Sequence, residues 1–152
     1  MTNKSLQYNF DVKELIPQYK FIGKEKDIES HILDNIKDIS IHCSWGKVKK
    51  VERQYIIGTY KGHIIVDIMI WHNDGTGTAI EVKTGKTNRN DGFAAIGQCL
   101  YYGIKMQRSL KEMPRMVIAM PEINYDIYEI INYFKLPISL LMVDGDRCIY
   151  LT

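Results

Sequence analysis

The chain has 152 residues, of which 45% are hydrophobic and 25% are charged, and its net charge is +2. These values are ordinary for a globular protein, and they exclude a disordered chain, a collagen-like repeat and a membrane-embedded body. The weak positive charge neither identifies nor excludes a nucleic-acid partner, because such partners are recognised by the distribution of charge rather than by its sum.

The first half of the chain predicts one helix followed by strands. Apolar residues recur at helical spacing over 24–39, which predicts an amphipathic helix. Strand-like segments follow at 51–60, 63–71 and 78–84, and the Asp74–Gly75 pair between the last two is a hairpin signal. We therefore expect 63–71 and 78–84 to be antiparallel neighbours.

The second half alternates between helices and strands. The segment 84–93 is polar and basic, and it is expected to be a loop. The predicted elements that follow are a helix at 94–107, a strand at 116–120, a helix at 124–134, and strands at 138–143 and 147–151 joined by an Asp144–Gly145 turn. This alternation predicts an α/β fold with a mixed sheet flanked by helices. The length fits one domain, residues 1–152, with 1–22 as an N-terminal extension.

Charged residues interrupt two of the predicted strands. Asp67 lies inside the apolar run 64–70, and Glu81 and Lys83 flank Val82 in the next strand. A charge in a core strand is costly unless it is paired or bound to a metal. Because residues two apart on a strand point to the same face, Glu81 and Lys83 share a face, and the hairpin can place Asp67 beside them.

Two adjacent carboxylates favour a divalent cation. The carboxylates repel each other and shift each other's pKa unless a cation lies between them. Mg²⁺ commonly binds one or two carboxylates together with phosphate oxygens, and a neighbouring lysine can orient or deprotonate water. The alternative is that these three charged residues are solvated on an exposed strand face and have no catalytic role.

The sequence VD at 66–67 followed by IEVK at 80–83 resembles the motif of the PD-(D/E)xK nuclease superfamily, which has the restriction-endonuclease-like fold. The segment KDIESHIL, with Glu29, is similar to the acidic helix of that superfamily and of archaeal Holliday-junction resolvases. The helix AAIGQCLYYG supplies the expected glutamine, Gln98. Over residues 24–151 the order of motifs is similar to that of the nuclease domain of NucS-type endonucleases.

This resemblance implies a Mg²⁺- or Mn²⁺-dependent endonuclease that cuts structured DNA. It implies that Asp67, Glu81 and the Val82 carbonyl bind the metal. It also implies that Glu29 acts through water or a second ion, that Lys83 activates the attacking water, and that Gln98 orients Lys83 or contacts the phosphate.

The sequence departs from the family at three points. Val66 stands where the superfamily name has proline, a separate N-terminal DNA-binding domain is not expected within 1–22, and the cysteines do not match an iron–sulfur cluster. The three cysteines, Cys43, Cys99 and Cys148, are far apart and form no CxxC pair, so neither a disulfide framework nor a zinc site is expected.

Several site residues also have structural interpretations. Glu29 fits a boundary salt bridge, and Glu25, one turn earlier, is an alternative for the same catalytic role. Gln98 fits a buried side chain that bridges backbone groups. Tyr101 and Tyr102 are expected to serve helix packing.

Basic residues near the motif suggest contacts with phosphates. Lys86 and Arg89 directly follow the ExK strand and are expected to bind the nucleic-acid backbone, although a solvated loop is equally compatible with the sequence. A second basic cluster consists of Lys47, Lys49, Lys50 and Arg53. Trp45 beside it could stack on a base or pack in the core.

The expected partners are DNA and a second copy of the chain, because a symmetric dimer can cut two strands. The alternatives are a non-catalytic nucleic-acid-binding module, an RNase and a protein-interaction domain. No signal peptide or membrane-spanning segment is recognisable, which predicts a cytoplasmic protein that does not bind membranes.

Overall fold

The computed structural model describes residues 25–57, 64–84, 89–107, 112–122, 124–144 and 147–152. Within these residues, six strands form one sheet in the order of the chain. The strands are β1 (Val48–Ile57), β2 (Ile64–His72), β3 (Gly77–Val82), β4 (Arg115–Met120), β5 (Ile138–Asp144) and β6 (Arg147–Leu151). The helices are α1 (Glu25–Asp34), α2 (Ile36–His42), α3 (Arg89–Gln107) and α4 (Tyr125–Tyr133).

The sheet is mixed, as the sequence predicts. The pairs β1–β2 and β2–β3 are antiparallel, β3–β4 and β4–β5 are parallel, and β5–β6 is antiparallel. The predicted antiparallel pairing of the strands around Asp74–Gly75 is confirmed, since Ile68 pairs with Ile80 and Trp71 with Gly77. The predicted α/β fold with a mixed, helix-flanked sheet is therefore correct.

Helices cover both faces of the sheet. Helices α1 and α2 pack through Ile28, Ile32 and Ile39 against one face of the central strands. Helices α3 and α4 pack against the opposite face. All six residues of β3 are buried, as expected of a strand that is covered on both faces. Its one charged residue, Glu81, must therefore find partners inside the protein.

The predicted helix 24–39 is wrong in one respect, because the structure has two helices there. Asn35 separates α1 from α2, with φ −116° and ψ 13°, and its Nδ2 donates to the His31 carbonyl oxygen at 2.9 Å. Asparagine competes in this way with helical backbone bonding. The sequence pattern conceals the break, because the apolar stripe continues across it from Ile32 to Ile36.

The predicted loop 84–93 is wrong over its second half, because α3 begins at Arg89. Polar residues at 89–91 resemble a loop in sequence, but such residues also favour helix starts. Close to this start, Gly92 packs against α4, since a Cβ there would overlap the Ile127 side chain. The predicted extension 1–22 and the Gly145 turn position lie outside the described residues.

Candidate active site

The hairpin of β2 and β3 brings Asp67 and Glu81 together. The ladder ends at the Ile68–Ile80 pair, so the next residue outward on each strand is Asp67 or Glu81. Asp67 is half-buried, whereas only 4% of Glu81 is exposed. The Asp67 Oδ2 accepts a hydrogen bond from the Val82 N–H at 2.8 Å, which fixes the carboxylate against β3.

Lys83 completes this cluster from the end of β3. Its Nζ lies 3.1 Å from the Glu81 Oε1, and both side chains are largely buried. The Lys83 N–H also donates to the Ala119 carbonyl oxygen at 2.9 Å, which ties the backbone to β4. Lys83 is therefore held beside Glu81 by its backbone as well as by the ion pair.

The two carboxylates are poorly neutralised. Burial raises the pKa of Asp67, and the Glu29 charge adds to this effect, while the hydrogen bond from Val82 opposes it. Burial also raises the pKa of Glu81, and the Asp67 charge raises it further, against the influence of Lys83. A bound cation would relieve this cost.

Lys83 remains charged in this environment. Burial by itself lowers the pKa of Lys83, but the Glu81 carboxylate outweighs it, so the pKa lies above its ordinary value. At neutral pH, Lys83 of the metal-free site is consequently an ammonium group that donates hydrogen bonds.

Tyr102 is the site residue that the sequence interpretation missed. Its hydroxyl lies 2.9 Å from the Glu81 Oε2 and 3.0 Å from the Ile65 carbonyl oxygen, so its single proton serves two acceptors. Tyr102 is buried and packs in the core, as expected, but it also positions Glu81. The usable signal was chemical, since a buried tyrosine hydroxyl normally finds a hydrogen-bond partner.

Gln98 lies one turn before Tyr102 on α3. Its Oε1 is buried and has no hydrogen-bond partner among the described residues. The neighbouring Cys99 thiol has its pKa raised by burial and by the Glu81 charge, which places this part of α3 against the carboxylate cluster. Gln98 therefore carries an acceptor in need of a donor close to the candidate site.

Glu29 and Glu25 approach the cluster from α1. Glu29 is buried, and its Oε1 accepts from the Arg53 Nε at 2.9 Å in a salt bridge. Its charge reaches Asp67, whereas the charge of Glu25 raises the pKa of Lys83. The structure thus pairs Glu29 with Arg53, which is the boundary salt bridge that the sequence also allows. It places both Glu29 and Glu25 within electrostatic reach of the site.

The donor set of the cluster fits one divalent cation. Within the described ranges, no group of three histidine, cysteine, aspartate or glutamate side chains is arranged to hold a metal ion. Asp67 and Glu81 nevertheless form a two-carboxylate pair, with the Val82 backbone beside it. One or two carboxylates, completed by water and phosphate oxygens, are a normal Mg²⁺ ligand set.

The predicted phosphate-binding residues are placed only in part. Lys86 lies outside the described residues, and Arg89 is described only as the first residue of α3. In the second basic cluster, Arg53 is committed to Glu29, whereas Lys47, Lys49 and Lys50 are exposed on or next to β1. Trp45 packs in the core, only 1% exposed, and contacts the Tyr150 ring edge-on at 5.5 Å, so it cannot stack on a base as it stands.

No protein-family model matches the chain, and no curated protein matches its sequence. Solved structures do match its fold. A repair endonuclease from Pyrococcus abyssi is 18% identical with a TM-score of 0.57, over 82% of this chain and 48% of that chain. An EndoMS complex with double-stranded DNA is 16% identical with a TM-score of 0.58, over 90% of this chain and 49% of that chain. The chain thus spans about half the length of these two proteins.

A third solved structure is matched over almost the whole length of its own chain. An XisH family protein from Nostoc punctiforme is 16% identical with a TM-score of 0.54, over 80% of this chain and 99% of that chain. These matches show that the protein has the restriction-endonuclease-like fold, which its sequence motifs predict. Among its described helices, none is long and apolar enough to cross a bilayer.

Proposed function

We propose that the protein is a metal-dependent DNA endonuclease that hydrolyses phosphodiester bonds in branched, flap or other structured DNA. The observation that carries the proposal is the buried cluster of Asp67, Glu81 and Lys83. Two carboxylates with raised pKa values beside a fixed ammonium are costly to fold, and such arrangements are typical of functional sites. The nuclease neighbours and the DNA in one of their structures support the choice of DNA as the substrate.

In this proposal Asp67, Glu81 and the Val82 carbonyl hold Mg²⁺ or Mn²⁺. The cation supplies a Lewis acid that stabilises charge on the phosphate and lowers the pKa of water. The protein supplies the orientation of the ligands. The Val82 N–H holds one Asp67 oxygen, and Tyr102 and Lys83 hold the two Glu81 oxygens.

Lys83 orients the attacking water and stabilises negative charge on the phosphate. In this role Lys83 keeps its proton, in line with the raised pKa that Glu81 gives it in the metal-free site. The proton released by water then leaves to solvent or to the phosphate. Gln98 contributes an unpartnered amide oxygen, which can accept a hydrogen bond from the lysine or from water.

The remaining contributions concern the second acidic residue, DNA binding and assembly. Glu29, or Glu25 in its place, contacts the metal through a water molecule or binds a second ion. Lys86 and Arg89 bind backbone phosphates near the site. The active form is a homodimer, in which two copies of the site cut two strands.

A second candidate function is a non-catalytic DNA-binding module on the same fold. It is favoured by two neighbours that are matched over 99% of their own chains. They are named an XisH family protein and an fdxN element excision controlling factor, and neither name includes a nuclease. It is also favoured by the salt bridge that occupies Glu29. A further alternative is an RNase on the same fold, which is distinguished from a DNA endonuclease by comparing RNA and DNA as substrates.

The test is cleavage of end-labelled single-stranded, duplex, flap and four-way-junction DNA, with matched RNA, in Mg²⁺, Mn²⁺ or EDTA. We expect metal-dependent cutting of DNA by the wild type and its loss in Glu81→Gln. Glu129→Gln, an exposed substitution on α4, is the matched control. Intact substrates under every condition, with DNA still bound, would favour the binding module, and cleavage of RNA alone would identify an RNase.

A further inference from the structure

A groove about 490 Å³ in volume is lined by residues of β1, β2 and the turn after β2, and no residue of the carboxylate cluster lines it. Its walls include Lys49, Lys50, Tyr55 and Trp71, and Gly75 of the turn also lines it. We call it the β1–β2 groove. Its volume falls in the range of small-molecule sites, and the roles proposed above for the active site do not use it.

A β-bulge gives the groove its positive charge. The pairing register of β1 with β2 shifts between Val48 and Lys50, so one extra residue is inserted in β1 at Lys49. On a regular strand, consecutive side chains point to opposite faces, but a bulge redirects one of them. Both Lys49 and Lys50 consequently line the same groove.

The aromatic wall of the groove is held in place. The Trp71 Nε1 donates to the Glu52 Oε2 at 2.7 Å, and the Tyr55 ring meets the indole edge-on at a centroid distance of 5.7 Å. Both rings are half-buried, so each keeps part of its surface exposed. Rings that are fixed before binding lose little conformational entropy when a ligand stacks on them.

The net positive charge of the groove comes from Lys49, because Glu52 offsets the charge of Lys50. The Glu52 carboxylate is occupied by the Trp71 indole and by Lys50, whose Nζ lies 3.0 Å away. Lys49 lines the groove as a second cation, and it is exposed. The groove therefore offers an immobilised aromatic surface beside ammonium groups, which is the combination that binds single-stranded nucleic acid.

The groove lies along the same strand as Asp67. Trp71 and Asp67 are four residues apart on β2, so their backbones are roughly 13 Å apart. Met69, between them, is buried in a core cluster with Tyr102 of α3, so the groove and the carboxylate cluster are separated at the surface.

We propose that the β1–β2 groove binds an unpaired nucleotide of the DNA substrate, with its base on Trp71 and its phosphate on Lys49 and Lys50. This inference rests on the proposed nuclease function and narrows its substrate to DNA with a single-stranded arm. A base inside a duplex is stacked and cannot reach the aromatic wall.

The test measures binding of a labelled 15-residue oligothymidylate by fluorescence anisotropy in EDTA, where no cleavage occurs. Lys49→Glu/Lys50→Glu is compared with Lys37→Glu/Lys135→Glu, an equal charge reversal at exposed positions elsewhere. We expect the groove variant to weaken binding at least tenfold more than the control. We also expect the slope of log K against log[salt] to become shallower by about 1.4, because two phosphate contacts on a single strand contribute about that much.

A second measurement tests stacking without relying on a charge reversal. Trp71→Leu should weaken binding by roughly 5- to 150-fold, whereas Trp71→Phe keeps most of the affinity. In a Trp45→Phe background Trp71 is the only tryptophan, and oligothymidylate should quench its fluorescence where a blunt duplex does not.

The outcomes separate this inference from the proposed function. Equal binding by the groove and control variants, together with unquenched Trp71 fluorescence, would overturn the inference even if the wild type cuts DNA. Groove-dependent binding by a protein that cuts nothing would instead refute the nuclease function and leave the groove as a single-strand site.

Discussion

Divalent cations should stabilise the folded protein through Asp67. The substitution Asp67→Asn removes one of two buried like charges, while the new amide oxygen can still accept the hydrogen bond from the Val82 N–H. Because burial raises the pKa of Asp67, its ionised form is disfavoured in the folded state. In EDTA at neutral pH, Asp67→Asn should therefore unfold at a higher temperature than the wild type.

Added Mn²⁺ should reverse this order. A ligand at about 100 times its Kd stabilises the folded state by about 2.7 kcal/mol. With an unfolding entropy of about 2.1 cal/mol/K per residue, the 152 residues give about 320 cal/mol/K. The Tm of the wild type should then rise by about 8 °C, and that of Asp67→Asn should barely change.

Differential scanning calorimetry measures both effects on the same samples. Asp38→Asn, at an exposed position of α2, is the matched control and should respond to Mn²⁺ as the wild type does. An equal rise of Tm in wild type and Asp67→Asn would refute the reasoning, because the cation would then bind elsewhere. A wild type that is insensitive to Mn²⁺ at every concentration would refute it as well.

Three further predictions concern the same cluster. Lys83→Met should lower the cleavage rate by about 10²- to 10³-fold, because one fixed donor to the transition state is lost, and single-turnover kinetics with saturating enzyme would show it. Tyr102→Phe should cost about 1–2 kcal/mol in urea unfolding, since Glu81 loses a hydrogen bond, whereas the half-exposed Tyr101→Phe should cost almost nothing. Folding raises the pKa values of Asp67 and Glu81, so the folded state binds more protons than the unfolded state. The free energy of unfolding should therefore fall as the pH rises from the ordinary pKa values, 3.8 and 4.5, through the raised ones. The double variant Asp67→Asn/Glu81→Gln should remove that fall, and an unchanged difference between variant and wild type from pH 4 to pH 8 would contradict the assigned shifts.

Much of the fold is predictable because the sheet is buried on both sides. The central strand β4 is an apolar run from Met116 to Met120, and the turn at Asp74–Gly75 fixes the pairing of β2 with β3. The two errors have local causes. The break at Asn35 lies under an uninterrupted apolar stripe, and the polar residues that open α3 resemble a loop in sequence.

The candidate site was predictable where strand geometry alone brings residues together. Asp67 and Glu81 meet through one hairpin, so alternation along two strands is enough to pair them. The partner of Glu29 was not predictable, because Arg53 is 24 residues away and reaches it only through packing of α1 on the sheet. Sequence likewise could not tell which tryptophan is exposed, and the structure buries Trp45 and leaves Trp71 in a groove.

The most direct measurement is the single-turnover rate of cutting a 5′-labelled flap DNA in Mn²⁺ by wild type and Glu81→Gln, purified in parallel. We expect cutting by the wild type that EDTA abolishes, and a rate in Glu81→Gln at least about 10²-fold lower with DNA binding retained. Equal rates in the two proteins would show that the activity does not arise at this site. The absence of cutting by the wild type would show that the carboxylate cluster is not a nuclease centre for this DNA.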